Sequence, residues 1–97
     1  MFAHVLVYSV TPENRADFDV HFAEYRAVRE QQPGFRGTIE VAIGEGRGGG
    51  VILWDSQEAA QAARQVMTRE YDRVIKLLSF DSAGSGEVTY NTISARA

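Results

Sequence analysis

The stretch Val51 to Ala60, VILWDSQEAA, runs from an apolar strand directly into a helix start, and the rest of the chain is read outward from that junction. Val51 to Trp54 is a short β-branched and aromatic run that holds the single tryptophan of the chain. Asp55 followed by Glu58 imitates a capping box, and Ala59, Ala62, Ala63, Val66 and Met67 then keep helical spacing. The spacing continues through Tyr71, Val74, Ile75 and Leu78, with a break near Thr68.

Towards the N-terminus, Gly44 to Gly50 (GEGRGGG) reads as a flexible turn. Phe35 to Ile43 alternates Ile39, Val41 and Ile43 against Thr38, Glu40 and Ala42, so this strand and Val51 to Trp54 are expected to form a hairpin. Pro33-Gly34 stops a helix expected from Pro12 to Gln32, begun by Thr11-Pro12-Glu13 with its cap, proline and acid. On that helix Phe18, Phe22 and Tyr25 form a bulky stripe suited to lying on a sheet. A second stripe, Ala16, Val20, Ala23 and Ala27, implies either a covering helix or subunit, or simply alanine's helix propensity. Phe2 to Val10 is a strand that is apolar on both faces, Ala3, Val5 and Val7 against Phe2, Leu6 and Tyr8. At the other end Asp81 to Gly86 reads as a loop, Glu87 to Ile93 as a last strand, and a short polar tail follows.

The order β-α-β-β-α-β predicts an α+β, ferredoxin-like fold in one domain over residues 1–97: an antiparallel sheet with helices on one face. Because the first strand is apolar on both faces, the uncovered sheet face is expected to meet a second copy, giving a homodimer. A net charge of −3 with scattered basic residues argues against a nucleic-acid partner. No apolar run approaches the roughly 20 residues of a membrane span, and the start lacks a signal-peptide pattern, so no membrane partner is expected. The absence of cysteine suits a cytoplasmic protein held together by packing alone.

Few motifs carry chemistry. Gly44 to Gly49 spells G-x-G-x-x-G, but a strand follows it where a phosphate site needs a helix. Asp17, His21 and Glu24 have the spacing of a solvated helix face, and no metal site is expected there. His4 shares a strand face with Phe2, Leu6 and Tyr8, an environment that keeps its imidazole neutral, as a base or as a core histidine bonded to a carbonyl. Trp54 is either a core plug or a pocket wall, since Gly50, two residues before Ile52 on the same face, leaves space nearby.

Three segments, HVLVYSVTPENRADF, QQPGFRG and above all LWDSQEAAQAA, make the chain similar to the antibiotic biosynthesis monooxygenase family over nearly its whole length. That resemblance implies dimeric α/β barrels of two ferredoxin-like subunits, often oxidising multi-ring phenolic compounds with no metal, flavin or other bound cofactor. In the family's haem-degrading branch an asparagine on the first strand acts with a tryptophan and a histidine on the second helix. The first strand here offers His4, Tyr8 and Ser9 instead, and Gln57 to Leu78 contains neither tryptophan nor histidine. Cofactor-free oxygenation needs an electron-rich substrate anion, a dry pocket and donors for developing negative charge. His4, Tyr8 and Trp54 are the candidate catalytic groups, with Phe18, Phe22, Tyr25, Ile52 and Tyr71 binding a small apolar or aromatic molecule. The expected function is thus a cofactor-independent monooxygenase acting on an aromatic or polyketide-like small molecule. The alternatives are a non-catalytic dimeric ligand-binding or structural module, and an isomerase or cyclase using His4 or His21 as base. The pocket discriminates: if Trp54, Tyr8, Phe18 and Phe22 fill the space between sheet and helices, the enzyme reading fails.

Overall fold

The computed structural model describes residues 1–93; the polar tail at 94–97 lies outside the described residues. Its elements are β1 (Phe2–Ser9), α1 (Arg15–Arg29), β2 (Phe35–Gly44), β3 (Arg47–Trp54), α2 (Gln57–Val66), α3 (Thr68–Ile75) and β4 (Ser79–Glu87). The four strands form one antiparallel sheet in the order β2-β3-β1-β4, the ferredoxin-like arrangement expected from the sequence. The helices bury one sheet face in two adjoining clusters. Phe2, Ile52, Trp54, Ala60, Ala63 and Met67 make one; Tyr8, Val10, Phe18, Phe22 and Val74 make the other.

Several local expectations are corrected. The glycine run is mostly strand: the turn is Glu45-Gly46, and β3 already begins at Arg47. Turn propensity lost here to side-chain volume on neighbouring strands. Gly48 lies under the Tyr8 ring, where a Cβ would come within 2.8 Å of Cζ, and a Cβ on Gly49 would meet Ile43 Cδ1 at 2.9 Å. The glycines therefore let bulky neighbours cross β3 on both faces.

Asp81 to Gly86, expected as a loop, is β4, and Glu87 to Ile93 lies beyond it except for Glu87 itself. Its small polar residues have low strand propensity, but β1 is apolar and central, and β4 supplies the backbone partners for its whole length. As an exposed edge strand with an acid at each end region, Asp81 and Glu87, it discourages further pairing. Asp81 also ties the edge down, accepting hydrogen bonds from Ser9 Oγ at 2.8 Å and Arg47 Nε at 3.2 Å.

Helix starts also shift. Pro12–Asn14 forms a 3-10 turn, and α1 begins only at Arg15. The cap of α2 is Ser56 rather than Asp55: its Oγ accepts from the Ala59 N–H at 3.1 Å. Asp55 is left to pair with Arg36 Nη1 at 3.0 Å. The break near Thr68 is present as Met67, whose backbone separates α2 from α3. The small-residue stripe Ala16, Val20, Ala23 and Ala27 is exposed, and none of the described residues covers it.

Candidate functional site

The candidate site is a cleft between the β1/β4 half of the sheet and α2 and α3. Its volume is about 790 Å³, and its walls include His4, Leu6, Tyr25, Ile52, Tyr71 and Phe80. The strand period puts His4 and Leu6 on the inner face, and Ile52 stands directly across from His4 in the β1–β3 register. Ala83 faces the cleft from β4 opposite Leu6, and Gln57, Gln61, Arg64 and Gln65 give α2 a polar rim. Arg64 lies over the Tyr71 ring, 3.7 Å from its centroid, and Tyr71 in turn leans on Tyr25.

His4 meets the Phe2 ring edge-on at 5.3 Å, and burial lowers its pKa, so it is neutral at pH 7 and able to accept a proton. Burial raises the Tyr25 hydroxyl, with Arg29 opposing; burial and then Glu40 raise that of Tyr8. Both phenols stay protonated and are donors.

Behind the cleft lies an inner cavity of about 60 Å³, which shares Leu6, Tyr25, Ile52, Tyr71 and Phe80 with it and reaches Tyr8, Phe22, Arg29, Thr38 and Gly50. This is the space expected beside Gly50. Arg29 is the buried charge of the core, 1 % exposed, lying 5.3 Å from the Tyr25 ring centroid and 5.9 Å from that of Phe35. Its Nη2 donates to Glu40 Oε2 at 3.4 Å, while Arg26 grips the same carboxylate through Nε, at 3.0 Å to each oxygen, and through Nη2. Burial pushes the Glu40 carboxyl up, but the hydrogen bonds and charge of Arg26, with Arg29 behind them, outweigh it and hold it below the usual carboxylate range.

The sequence candidates divide accordingly. His4, Tyr25, Ile52 and Tyr71 come together in the cleft, and Tyr8 and Phe22 line the inner cavity. Phe18 and Trp54 reach neither: Phe18 is 2 % exposed among Tyr8 and Phe22, and Trp54 is 4 % exposed against Phe35, Phe2, Ala60 and Met67. Trp54 sits as a plug in the core, and its Nε1 is buried with no hydrogen-bond partner. The core aromatics fill their own space, but they leave the neighbouring cleft open. Arg29 went unremarked in the sequence, although it extends the stripe Phe18, Phe22, Tyr25 by one more helical step. Among the described residues no group of three histidine, cysteine, aspartate or glutamate side chains could hold a metal ion. On the Asp17, His21, Glu24 face, Glu24 Oε2 lies 3.7 Å from His21 Nδ1 and 3.8 Å from Arg73 Nη1.

The profile of antibiotic biosynthesis monooxygenases matches residues 1–68. The chain belongs to the antibiotic biosynthesis monooxygenase family. Its fold is similar to that of SnoaB, a cofactor-independent oxygenase from Streptomyces nogalater, with 18 % identity, 95 % of each chain covered and a TM-score of 0.77. A variant of SnoaB superposes at a TM-score of 0.80, with 17 % identity over 95 % of this chain and 96 % of that one. A protein of unknown function from Nitrosomonas europaea has the same fold, with 14 % identity over 95 % of this chain and 92 % of its own and a TM-score of 0.72. At these identities the likenesses establish the fold of this antibiotic biosynthesis monooxygenase family member. No curated protein matches the chain. Among the described residues no helix is long and apolar enough to cross a membrane.

Proposed function

We propose that this family member is a cofactor-independent monooxygenase that takes an aromatic, polyketide-like molecule into the cleft. The observation that carries the reading is the open cleft itself, apolar along β1 and β3, with a neutral His4 on its wall and tyrosines opposite. His4 removes an acidic proton from a phenol, or from the methylene of an anthrone, and the resulting anion is electron-rich enough to reduce oxygen. For an anthrone, one oxygen atom becomes the new ring carbonyl and the other leaves as water, so the product is the quinone. The donors able to hold negative charge as it develops are the hydroxyls of Tyr25 and Tyr71. Purified protein is expected to accelerate oxygen uptake by members of a panel of anthrones and hydroquinones, read with an oxygen electrode. No catalysed uptake across the panel would leave the non-catalytic binding module as the better reading.

The protein is proposed to work in the cytoplasm as a homodimer through the outer sheet face. That face carries Val5, Ile39, Val41 and Ile43, each about half exposed, around Val51 at the centre of the register. Such a run of apolar side chains on an open sheet is costly in water unless covered. Light scattering on a sizing column should give twice the chain mass for the natural protein and the chain mass for the double variant Val5→Lys, Val41→Lys. A monomeric natural protein contradicts the sheet-to-sheet dimer.

A further inference from the structure

Two polar groups on the wall of the inner cavity are buried without partners: Arg29 Nε and Thr38 Oγ1. They come from different elements, the last turn of α1 and the middle of β2. The local charge is also unbalanced. Two guanidinium groups, Arg26 and Arg29, face one carboxylate, Glu40, and Arg26 takes the better share of it through three short hydrogen bonds. Arginine does not lose its proton in proteins, so Arg29 brings a lasting surplus of positive charge into the core. A buried cation with an unused N–H is unfavourable unless an anion or strong acceptor joins it. The space of about 60 Å³ beside it is enough for a few waters or a carboxylate-sized group.

We infer that the inner cavity is an oxyanion subsite, in which Arg29 and Thr38 bind the anionic oxygen of an aromatic ligand whose rings occupy the cleft. The inference rests on the reading of the cleft as the ligand site. It gives the ligand a polarity: rings under Tyr71 and the α2 rim, and a phenolate, enolate or carboxylate oxygen pointing inward past Tyr25 and Ile52. It also predicts selectivity, because a neutral molecule of the same shape leaves Arg29 Nε unpaired and loses a charge-assisted hydrogen bond.

The test is calorimetric titration with 9-anthracenecarboxylate and its neutral counterpart 9-anthracenemethanol at pH 7.5. The natural protein should bind the carboxylate at least about tenfold more tightly, the scale of one hydrogen bond to a charged group. Arg29→Gln should remove most of that preference while leaving the alcohol's affinity in place. Thr38→Val, nearly isosteric and able to fold even if the arginine variant does not, should weaken carboxylate binding alone, by about tenfold. Equal binding of both compounds, or a preference that survives both substitutions, overturns the subsite and leaves the cleft reading standing. Failure of both compounds to bind the natural protein overturns the cleft reading and the subsite together.

Discussion

Trp54→Ala is expected to destabilise the protein by about 3–5 kcal/mol, the range for deleting a buried large aromatic side chain. Trp54 is 4 % exposed and joins Phe2 and Ile52 of the sheet to Ala60 and Ala63 of α2 and to Met67 at the junction with α3, so its loss opens one of the two core clusters. Small domains have a margin of only about 5–15 kcal/mol, and the variant should lose a large part of it. Trp54→Phe separates packing from chemistry. It keeps much of the volume and removes the unpartnered Nε1–H, so it should remain folded and keep its oxygen uptake. Urea unfolding followed by far-ultraviolet circular dichroism measures the first effect, and the oxygen electrode the second. A stable but inactive Trp54→Phe protein would return the indole to the reaction.

His4→Gln is expected to lower kcat/KM for anthrone oxidation by about 10²–10⁴-fold, the usual contribution of a positioned general base. The pH profile carries the diagnostic sign. A base works only in its unprotonated form, and burial lowers the His4 pKa from its ordinary value, so the acid limb of the activity profile should lie below the pH at which a free histidine titrates. In His4→Gln that acid limb should disappear. Thermal stability should change little, because His4 is only partly buried. An unchanged rate and profile would mean that water deprotonates the substrate.

Most of the architecture was legible in the sequence because period and punctuation agreed. The apolar run of β1, the 2-residue alternation of β2 and the stop at Pro33-Gly34 each name an element, and the Phe18, Phe22, Tyr25 stripe of α1 also names its inward face, whereas the apolar face of β2, with Ile39, Val41 and Ile43, is the exposed one. Where propensity and tertiary context disagreed, context prevailed. Residues 81–86 look like a loop and form an edge strand because β1 needs a partner, and Gly48 and Gly49 look like a turn and lie in β3 because Tyr8 and Ile43 need room. The site was only half legible. His4, Tyr25, Ile52 and Tyr71 could be proposed as aromatic or basic groups on inward faces, and they meet in the cleft. Trp54 was left open between core plug and pocket wall because a strand end gives no sign of how deeply the following helix covers it. Arg29, Thr38 and Glu40 were passed over because charged and hydroxyl residues normally point to water; only the folded chain brings an arginine of α1 and a threonine of β2 to one cavity.

The cleft between β1, β4 and the last two helices is the proposed place where an aromatic substrate meets oxygen. Oxygen uptake with an anthrone, compared between the natural protein and Ala83→Phe, tests it most directly. Ala83 is on the exposed edge strand, lines the cleft, and belongs to neither core cluster, so phenylalanine fills the site without disturbing the fold. The natural protein should show catalysed uptake, and Ala83→Phe should lose it at an unchanged melting temperature. Equal rates in the two proteins would contradict it.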